Sequence, residues 1–378
     1  MALAPTHPGE SVSPRPIPPH ARTVAIDQAR RRMLDDPQLD GDVPGLEPWI
    51  ASSWRRCLAR GQRPGERVVF DSVSAAVMRR TLEASQTLRQ AATPIIDRTL
   101  GRAMSDTGYF ALLTDPNGIV IDVHGPVDPG NRHIHAIARI GVDLSESAIG
   151  TSAIGAALTE RMPVWLHRGE HFFDNTAVYS CAGAPLFDPD GACIGMLDLT
   201  GVMAPERRAL KHLVSVTARR IENALVLLRP HALSLRLTWP GHLPGDDDDG
   251  LLILDADGRI VGANRTATEM LDLRANIGAS AGGWPHADEV FAVPYGDLFS
   301  AARRGRGPLE VPSWLGLRLL VLAQSGGDDT QHGPSLPLKS REAALIRHAV
   351  AQAGGNVAEA ARQLGISRAT VYRKLGQR

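Results

Sequence analysis

Two groups of residues in this 378-residue chain have the types and spacing to do chemistry. The first is Ser367, Arg368, Thr370, Tyr372, Arg373 and Lys374, crowded together near the C-terminus with Val371 and Leu375 interleaved. On a helix, the two apolar residues anchor one side and the others form a donor-rich face suited to a DNA major groove. Arginine gives a bidentate contact to guanine, Thr370 meets a base edge or a thymine methyl, and Lys374 neutralises phosphate. The second group is Trp165, His171, Phe172 and Cys181, whose aromatic, imidazole and thiol side chains suit the lining of a small-molecule pocket. Each of these four equally suits ordinary burial.

Other combinations carry less. His133 and His135 would share one face of a strand, and His167 and His171 lie four apart. No nearby carboxylate or cysteine completes a set, so neither a metal nor a cofactor is expected. Cys181 with Cys193 offers a thiol redox alternative, although apolar surroundings would hold a thiol protonated. Gly150 and Gly155 have the spacing of P-loop glycines, but Ala156 and Ala157 follow where lysine and a hydroxyl residue would be needed. Close helix–sheet packing is the better use of those small residues, and no catalytic residue is assigned.

The elements that must position these groups divide the chain. Residues 1–45 are proline-rich and aperiodic and are expected to be disordered, apart from a short helix near 26–34. Leu46, Ile50, Trp54 and Leu58 recur at helical spacing, and a second helical run covers 73–92 until Pro94 interrupts it, so 46–104 is a helical lead-in. Over 105–228 short strands dominate, with turn clusters at 115–118 and 188–191. A helix over 205–228 then sets Leu210, Val214, Thr217, Ile221, Ala224 and Leu228 in a heptad seam, which predicts a homodimer. Three prolines and the aspartates 246–249 make 229–249 a solvated linker. A second small mixed sheet is expected over 250–325, a polar connector over 326–337, and helices over 338–378.

Composition sets the outer bounds. Hydrophobic residues make up 43% of the chain, enough for packed cores. Three cysteines without a CxxC pair argue against a disulfide framework, and no apolar run approaches membrane-span length, so a cytoplasmic protein without membrane contact is expected. Basic and acidic side chains both number 41, but residues 336–378 hold eight basic and two acidic ones, a +6 tail on a −6 body. A small basic end on an acidic body is what a tethered nucleic-acid reader shows.

Within that tail, NVAEAARQLGISRATVYRKL resembles the Fis-type helix-turn-helix that ends many bacterial enhancer-binding regulators. The resemblance implies a dimer reading a pseudo-palindromic operator in double-stranded DNA, with Ser367, Arg368, Thr370, Arg373 and Lys374 at the family's DNA-facing positions. Residues 108–228 resemble the GAF domain of the acetoin-regulator branch of sigma-54-dependent activators, through ESAIGTSAIGAALTERMPVW, GEHFF and CAGAPLFDPDGACIGMLDLTG, and the preceding SWRRCLARGQRP extends the match over most of 46–228. Residues 250–323 resemble a PAS domain through LLILDADGRIVGANRTATEML, with Asp255, Gly258, Ile260, Asn264 and Ala267 in the family's places and Asn264 capping the next helix. The expected fold class is therefore α+β: a GAF domain, a smaller PAS-like domain and an all-α helix-turn-helix.

Those activators carry an ATPase between sensor and DNA reader, with a P-loop and a GAFTGA loop; neither string occurs in this sequence. The expectation is a ligand-responsive regulator without ATPase activity. Its partners would be DNA, a small-molecule effector, a second copy of itself, and RNA polymerase or a full-length relative. A GAF-domain thiol redox enzyme or sensor and a sequence-tolerant architectural DNA binder are the competing classes.

Overall fold

The computed structural model describes residues 19–35, 43, 45–273, 283–305, 307–326, 346, 349–350, 353 and 355–375. Among them, helices α1 (Pro19–Asp35), α2 (Pro48–Ala59), α3 (Ala75–Ala84) and α4 (Gln86–Thr107) precede the first strand. Strands β1 (Phe110–Thr114), β2 (Val120–His124), β3 (Val164–His167), β4 (Tyr179–Phe187) and β5 (Cys193–Val202) form one antiparallel sheet in the order β2-β1-β5-β4-β3. Helices α5 (Arg132–Ile137), α6 (Glu146–Ile149) and α7 (Ala153–Glu160) lie in the β2–β3 connection, and α8 (Ala209–Leu228) follows β5.

The tight hairpins share one device. In Asp115-Pro-Asn-Gly118 the Asp115 carboxylate accepts from the amides of Asn117 and Ile119, and Gly118 takes a positive φ that an L side chain resists. Asp188 and Gly191 repeat this between β4 and β5, as do Asp255 and Gly258 in the second sheet.

Alternation along β5 sorts side chains to two faces of the first sheet. Leu197 and Leu199 join Ala182, Ala184 and Leu186 of β4 beneath α4 and α8. Met196 faces the other way, toward Phe110, Leu112 and the side covered by α1, α2 and α7. The seam of α8 is consumed here: Leu210, Val214, Thr217 and Ile221 are buried within the chain, and α8 packs on α4 and β4. The heptad seam therefore serves an intramolecular partner, and the dimer expected from it loses that support.

Three other expectations change. Pro94 sits inside α4 rather than ending it, because Ala91, Ala92, Ile96, Leu100 and Met104 bury on the sheet side; the break falls at Ser85. The short helix expected near 26–34 is longer, the 17-residue α1, and packs Ala29 and Met33 into the core. His133 and His135 lie on α5, not on a strand, since Asn131 caps a helical turn there.

The second sheet contains β6 (Leu233–Thr238), β7 (Gly250–Leu254), β8 (Ile260–Ala263), β9 (Leu309–Pro312) and β10 (Arg318–Ser325) in the antiparallel order β8-β7-β6-β10-β9. Helices α9 (Arg265–Met270), α10 (Ala287–Val290) and α11 (Tyr295–Arg303) accompany it. Its central strand β6 lies in the stretch expected to be a linker. The alternation in Leu-Ser-Leu-Arg-Leu-Thr makes that strand, with Leu233, Leu235 and Leu237 in the core. The aspartate run is structured too: Asp247 and Asp248 pair with Arg220 and Arg219 of α8 at 2.6 and 2.8 Å. Residues 327–337 of the second expected connector lie outside the described residues.

At the C-terminus, α12 (Val357–Gln363) and α13 (Arg368–Leu375) pack with Ile346 through Ala361 and Val371. Much of the first part of the helical segment expected over 338–378 lies outside the described residues.

Candidate functional site

The first-sheet domain holds a small, partly open cavity of about 30 Å³ on the α7 side of the sheet. Apolar walls come from Phe70, Leu112, Ile137, Leu144, Ile149 and Ile154. Polar groups come from His171, Tyr179, Cys181, Asp198, Thr200 and Ser152. Asp198 and Thr200 are alternate residues of β5 and so share a face, while Cys181 stands opposite Thr200 on β4. Cys181 Sγ is 3.3 Å from Thr200 Oγ1, and the Thr200 hydroxyl donates to Asp198 Oδ2. The other oxygen, Asp198 Oδ1, is buried without a hydrogen-bond partner.

Burial sets the protonation states in this cavity. It pushes the Asp198 carboxyl up to about 7 against the opposing Thr200 hydrogen bond. It pulls His171 down to about 4, so the imidazole is neutral near pH 7. His171 Nδ1 lies 2.9 Å from the Arg168 carbonyl oxygen, which fixes Nδ1 as the donor and leaves Nε2 an acceptor. Burial also raises the Cys181 thiol well above its ordinary value, helped by the nearby Asp198 charge.

The wall is buttressed from outside. Arg30 of α1 donates to the carbonyls of Gly169, His171 and Phe172 and pairs with Asp174 at 2.7 Å. Glu146 of α6 receives Arg56 through two bonds of 2.8 and 2.7 Å, Ser53 at 2.7 Å and Arg60 at 3.1 Å. Burial opposes its ionisation, but Arg56, Ser53 and Arg60 outweigh that and hold its carboxyl below the usual range. Gly155 rests against Glu146, where a Cβ would come within 2.8 Å of the Glu146 Cβ, and Gly150 likewise faces Phe173 at 2.8 Å. Both glycines are packing residues.

Of the four residues proposed from sequence to line a pocket, His171 and Cys181 lie on this cavity. Trp165 does not: it pairs with Ala182 in the ladder, faces the α4 and α8 side, and donates to Glu206 at 3.3 Å. Phe172 is buried edge-on against Phe173 outside the lining. Asp198 and Thr200 were missed, although the alternation in Met-Leu-Asp-Leu-Thr puts both on one face and a lone aspartate in an apolar strand is itself a signal. Cys193 stands opposite Phe187, six residues along β4 from Cys181. Strand rise puts that at roughly 20 Å, beyond disulfide reach, so the paired-thiol alternative fails. Among the described residues no cluster of histidine, cysteine and carboxylate side chains is placed to hold a metal ion.

The second site is α13. Gly365, at φ +65°, turns the chain from α12, and Ser367 Oγ accepts from the Thr370 amide at 3.1 Å to start the helix. Val371 is fully buried, whereas Ser367, Arg368, Tyr372 and Arg373 are exposed and Thr370 is half-buried. Lys374 lies on the same helix; its side chain is outside the described ones. The outward face is thus the donor-rich one.

Comparison with known proteins places both halves. Residues 24–223 match the MimR N-terminal domain family model, which spans more than half of the chain. The chain belongs to the MimR N-terminal domain family. Residues 337–377 match the bacterial regulatory protein family of Fis type, so α12 and α13 are a Fis-type helix-turn-helix. The acetoin catabolism regulatory protein of Cupriavidus necator is 30% identical over 301 residues, covering 78% of this chain and 44% of that protein. The propane 2-monooxygenase operon activator MimR of Mycolicibacterium goodii is 27% identical over 187 residues, 49% of this chain and 30% of its own. An uncharacterized 47.3 kDa protein of Rhodococcus erythropolis is 26% identical over 301 residues, 67% of this chain and 66% of its own. This MimR-family chain thus spans less than half the length of either of these two regulators. No helix among the described residues is long and apolar enough to cross a membrane.

Proposed function

We propose that the chain is a ligand-responsive, sequence-specific transcriptional regulator of the cytoplasm: the first-sheet domain holds a small-molecule effector and α13 reads DNA. The observation that carries this is the pairing, in one chain, of a cavity lined by polar and apolar groups with a helix whose buried Val371 turns Arg368, Tyr372 and Arg373 outward. Ser367, Thr370 and Lys374 complete the reading set, and Fis-type geometry favours a homodimer on a pseudo-palindromic site. The sequence between the matched segments has no GxxxxGK[ST] string. Regulation in this proposal therefore runs through DNA occupancy, and through contact with RNA polymerase or a longer relative, rather than ATP hydrolysis. An effector acts by favouring one dimer arrangement over another, since equal affinity for both shifts nothing.

Selection of bound fragments from sheared genomic DNA at two salt concentrations tests the reading. The expected result is one pseudo-palindromic site retained at the higher salt; random recovery that vanishes with salt would replace the specific reader with a charge-driven binder.

A further inference from the structure

We infer that His124 is a proton-operated tie: as an imidazolium it joins Asp97 of α4 to Asp122 of β2, and on losing its proton it lets α4 flex at Pro94.

The spacing builds the tie. Arg89, Thr93 and Asp97 recur every four residues and form one stripe of α4, while Asp122 and His124 are alternate residues on one face of β2. The stripe lies along that face. Arg89 Nε is 3.8 Å from Asp122 Oδ2, the Thr93 hydroxyl is 3.2 Å from the same oxygen, and His124 Nδ1 is 3.1 Å from Asp97 Oδ1. The other ring nitrogen, His124 Nε2, is buried 3.5 Å from Asp122 Oδ2, within ion-pair range but without a hydrogen bond. A neutral imidazole has one N–H and serves one carboxylate. Only the imidazolium presents a donor, and a charge, to both.

The two carboxylates respond differently to loss of that proton. Asp122 keeps Arg89, the Thr93 hydroxyl and the Val123 amide at 2.9 Å. Asp97 has a side chain 62% exposed and no other partner among the described residues, so it turns to water when the ring becomes neutral.

Pro94 lies inside the stretch that the tie spans. It has no N–H, so the Gln90 carbonyl lacks a helical donor four residues on, and the proline ring crowds that carbonyl. An open groove of about 430 Å³, lined by Arg89, Gln90 and Thr93 of α4 and by Leu82 and Glu83 of α3, leaves room beside these turns. α4 in turn packs on α8, whose Asn223 bonds Asn264 of the second sheet, so flexing of α4 acts on the helix that meets that sheet.

The charged groups around His124 are Asp97 on α4, Asp122 on its own strand and Arg89, which reaches Asp122; β1 places Ala111 opposite it. Burial opposes protonation, but Asp122 and Asp97 outweigh it and hold the imidazole above its ordinary 6.5. The contribution of the tie is therefore complete below 6.5 and is lost as pH rises through the higher folded value. His124 does not line the first-sheet cavity, so this input is separate from any ligand bound there.

The test is hydrogen exchange of the full chain by mass spectrometry at pH 6 and pH 8.5, corrected for intrinsic exchange rates, with Asp97→Asn and His124→Gln beside the parent. In the parent, protection of the α4 peptide around Pro94 should fall about two- to fivefold between the two pH values, the range of a partly exposed ion pair. Both variants should lack that step. NMR titration of the histidine rings adds a readout that packing alone would not move: Asp97→Asn should lower the midpoint of the signal that His124→Gln removes. Equal protection at both pH values in the parent, or the same fall in Asp97→Asn, overturns the tie. A His124 midpoint unmoved by Asp97→Asn overturns it as well. Should His124→Gln fail to fold, the exchange comparison between the parent and Asp97→Asn, a change at the surface, still decides.

Discussion

Arg22 Nη2 of α1 lies 2.6 Å from Glu170 Oε1 in the turn that leads to His171. Glu170 is 1% exposed, and burial pushes its carboxyl up to about 7 even with Arg22 opposing the shift. Arg22→Ala leaves that carboxyl without its cation and is expected to lower stability by roughly 3 kcal/mol in urea unfolding. Adding Glu170→Gln should recover part of the loss, since an amide needs no counter-charge. Equal stability of Arg22→Ala and the parent chain would mean that α1 does not buttress the cavity wall.

Asp198 gives a pH signature. Its folded carboxyl titrates at about 7 against an ordinary 3.8, so the folded state keeps a proton that the unfolded state releases. The associated stability is fully present below 3.8, declines as pH rises toward about 7, and is constant above. His171, lowered from 6.5 to about 4, acts oppositely, losing stability as pH falls through that range. Asp198→Asn isolates the carboxyl: relative to the parent, the variant should gain on the order of 4 kcal/mol between pH 4 and 7.5. A difference independent of pH would show that the carboxyl is ordinarily solvated.

Sequence pattern made the main divisions legible where the signal was local. The three Asp-x-x-Gly turns, the strands of the first sheet and the Asn264 cap each follow from a few adjacent residues. The errors have non-local causes. The seam of α8 reads identically whether its partner is a second copy or α4. Leu233–Thr238 alternates as a strand should, but prolines and aspartates on either side outweighed that pattern, and only pairing with β7 and β10 makes it central. SWRRCLAR and ESAIGTSAIG were legible as motifs, yet their connection through Glu146 to Ser53, Arg56 and Arg60 required the folded chain.

Asn264 was read as a helix cap, and its Oδ1 does accept from the Ala267 amide at 2.8 Å. The side chain also accepts from the Leu251 amide at 2.9 Å and donates to Asn223 Oδ1 at 2.8 Å and the Asp249 carbonyl at 2.9 Å. Because Asn223 lies on α8, this one amide joins that helix to the second sheet. Asn264→Ala strands several buried polar groups and is expected to cost roughly 3 kcal/mol or more. Proteolysis should then cut between α8 and β7 before the first sheet opens; unchanged melting and cleavage would remove the coupling role.

Arg368 and Arg373 are both exposed on α13, one helical turn and a residue apart, so they need not do the same work. If Arg368 reads a base, Arg368→Ala weakens operator binding by about 1–3 kcal/mol at fixed salt and relaxes preference at one position. If Arg373 meets phosphate, Arg373→Ala weakens all sequences alike and lowers the salt slope by about 1. Binding titrations of both variants against operator and scrambled DNA separate the roles. Operator affinity unchanged in Arg368→Ala would displace α13 as the reading helix.

Thiol chemistry provides the last check. Cys181 is buried on the cavity wall, hydrogen-bonded to Thr200 and raised well above its ordinary range, whereas Cys193 is half-buried at the start of β5 and raised chiefly by burial, with the Gly195 hydrogen bond opposing. Only a thiolate attacks an alkylating reagent, and access limits the rate further. Iodoacetamide at pH 7.5 should therefore label Cys193 well ahead of Cys181, as read by peptide mass spectrometry over time. A cavity ligand should slow the labelling of Cys181 further and leave Cys193 untouched, because Cys193 on β5 lies opposite Phe187, at the far end of β4 from Cys181. Rapid labelling of Cys181 in the folded chain would mean that its thiol stands open to solvent, and the buried position described for it would have to be redrawn.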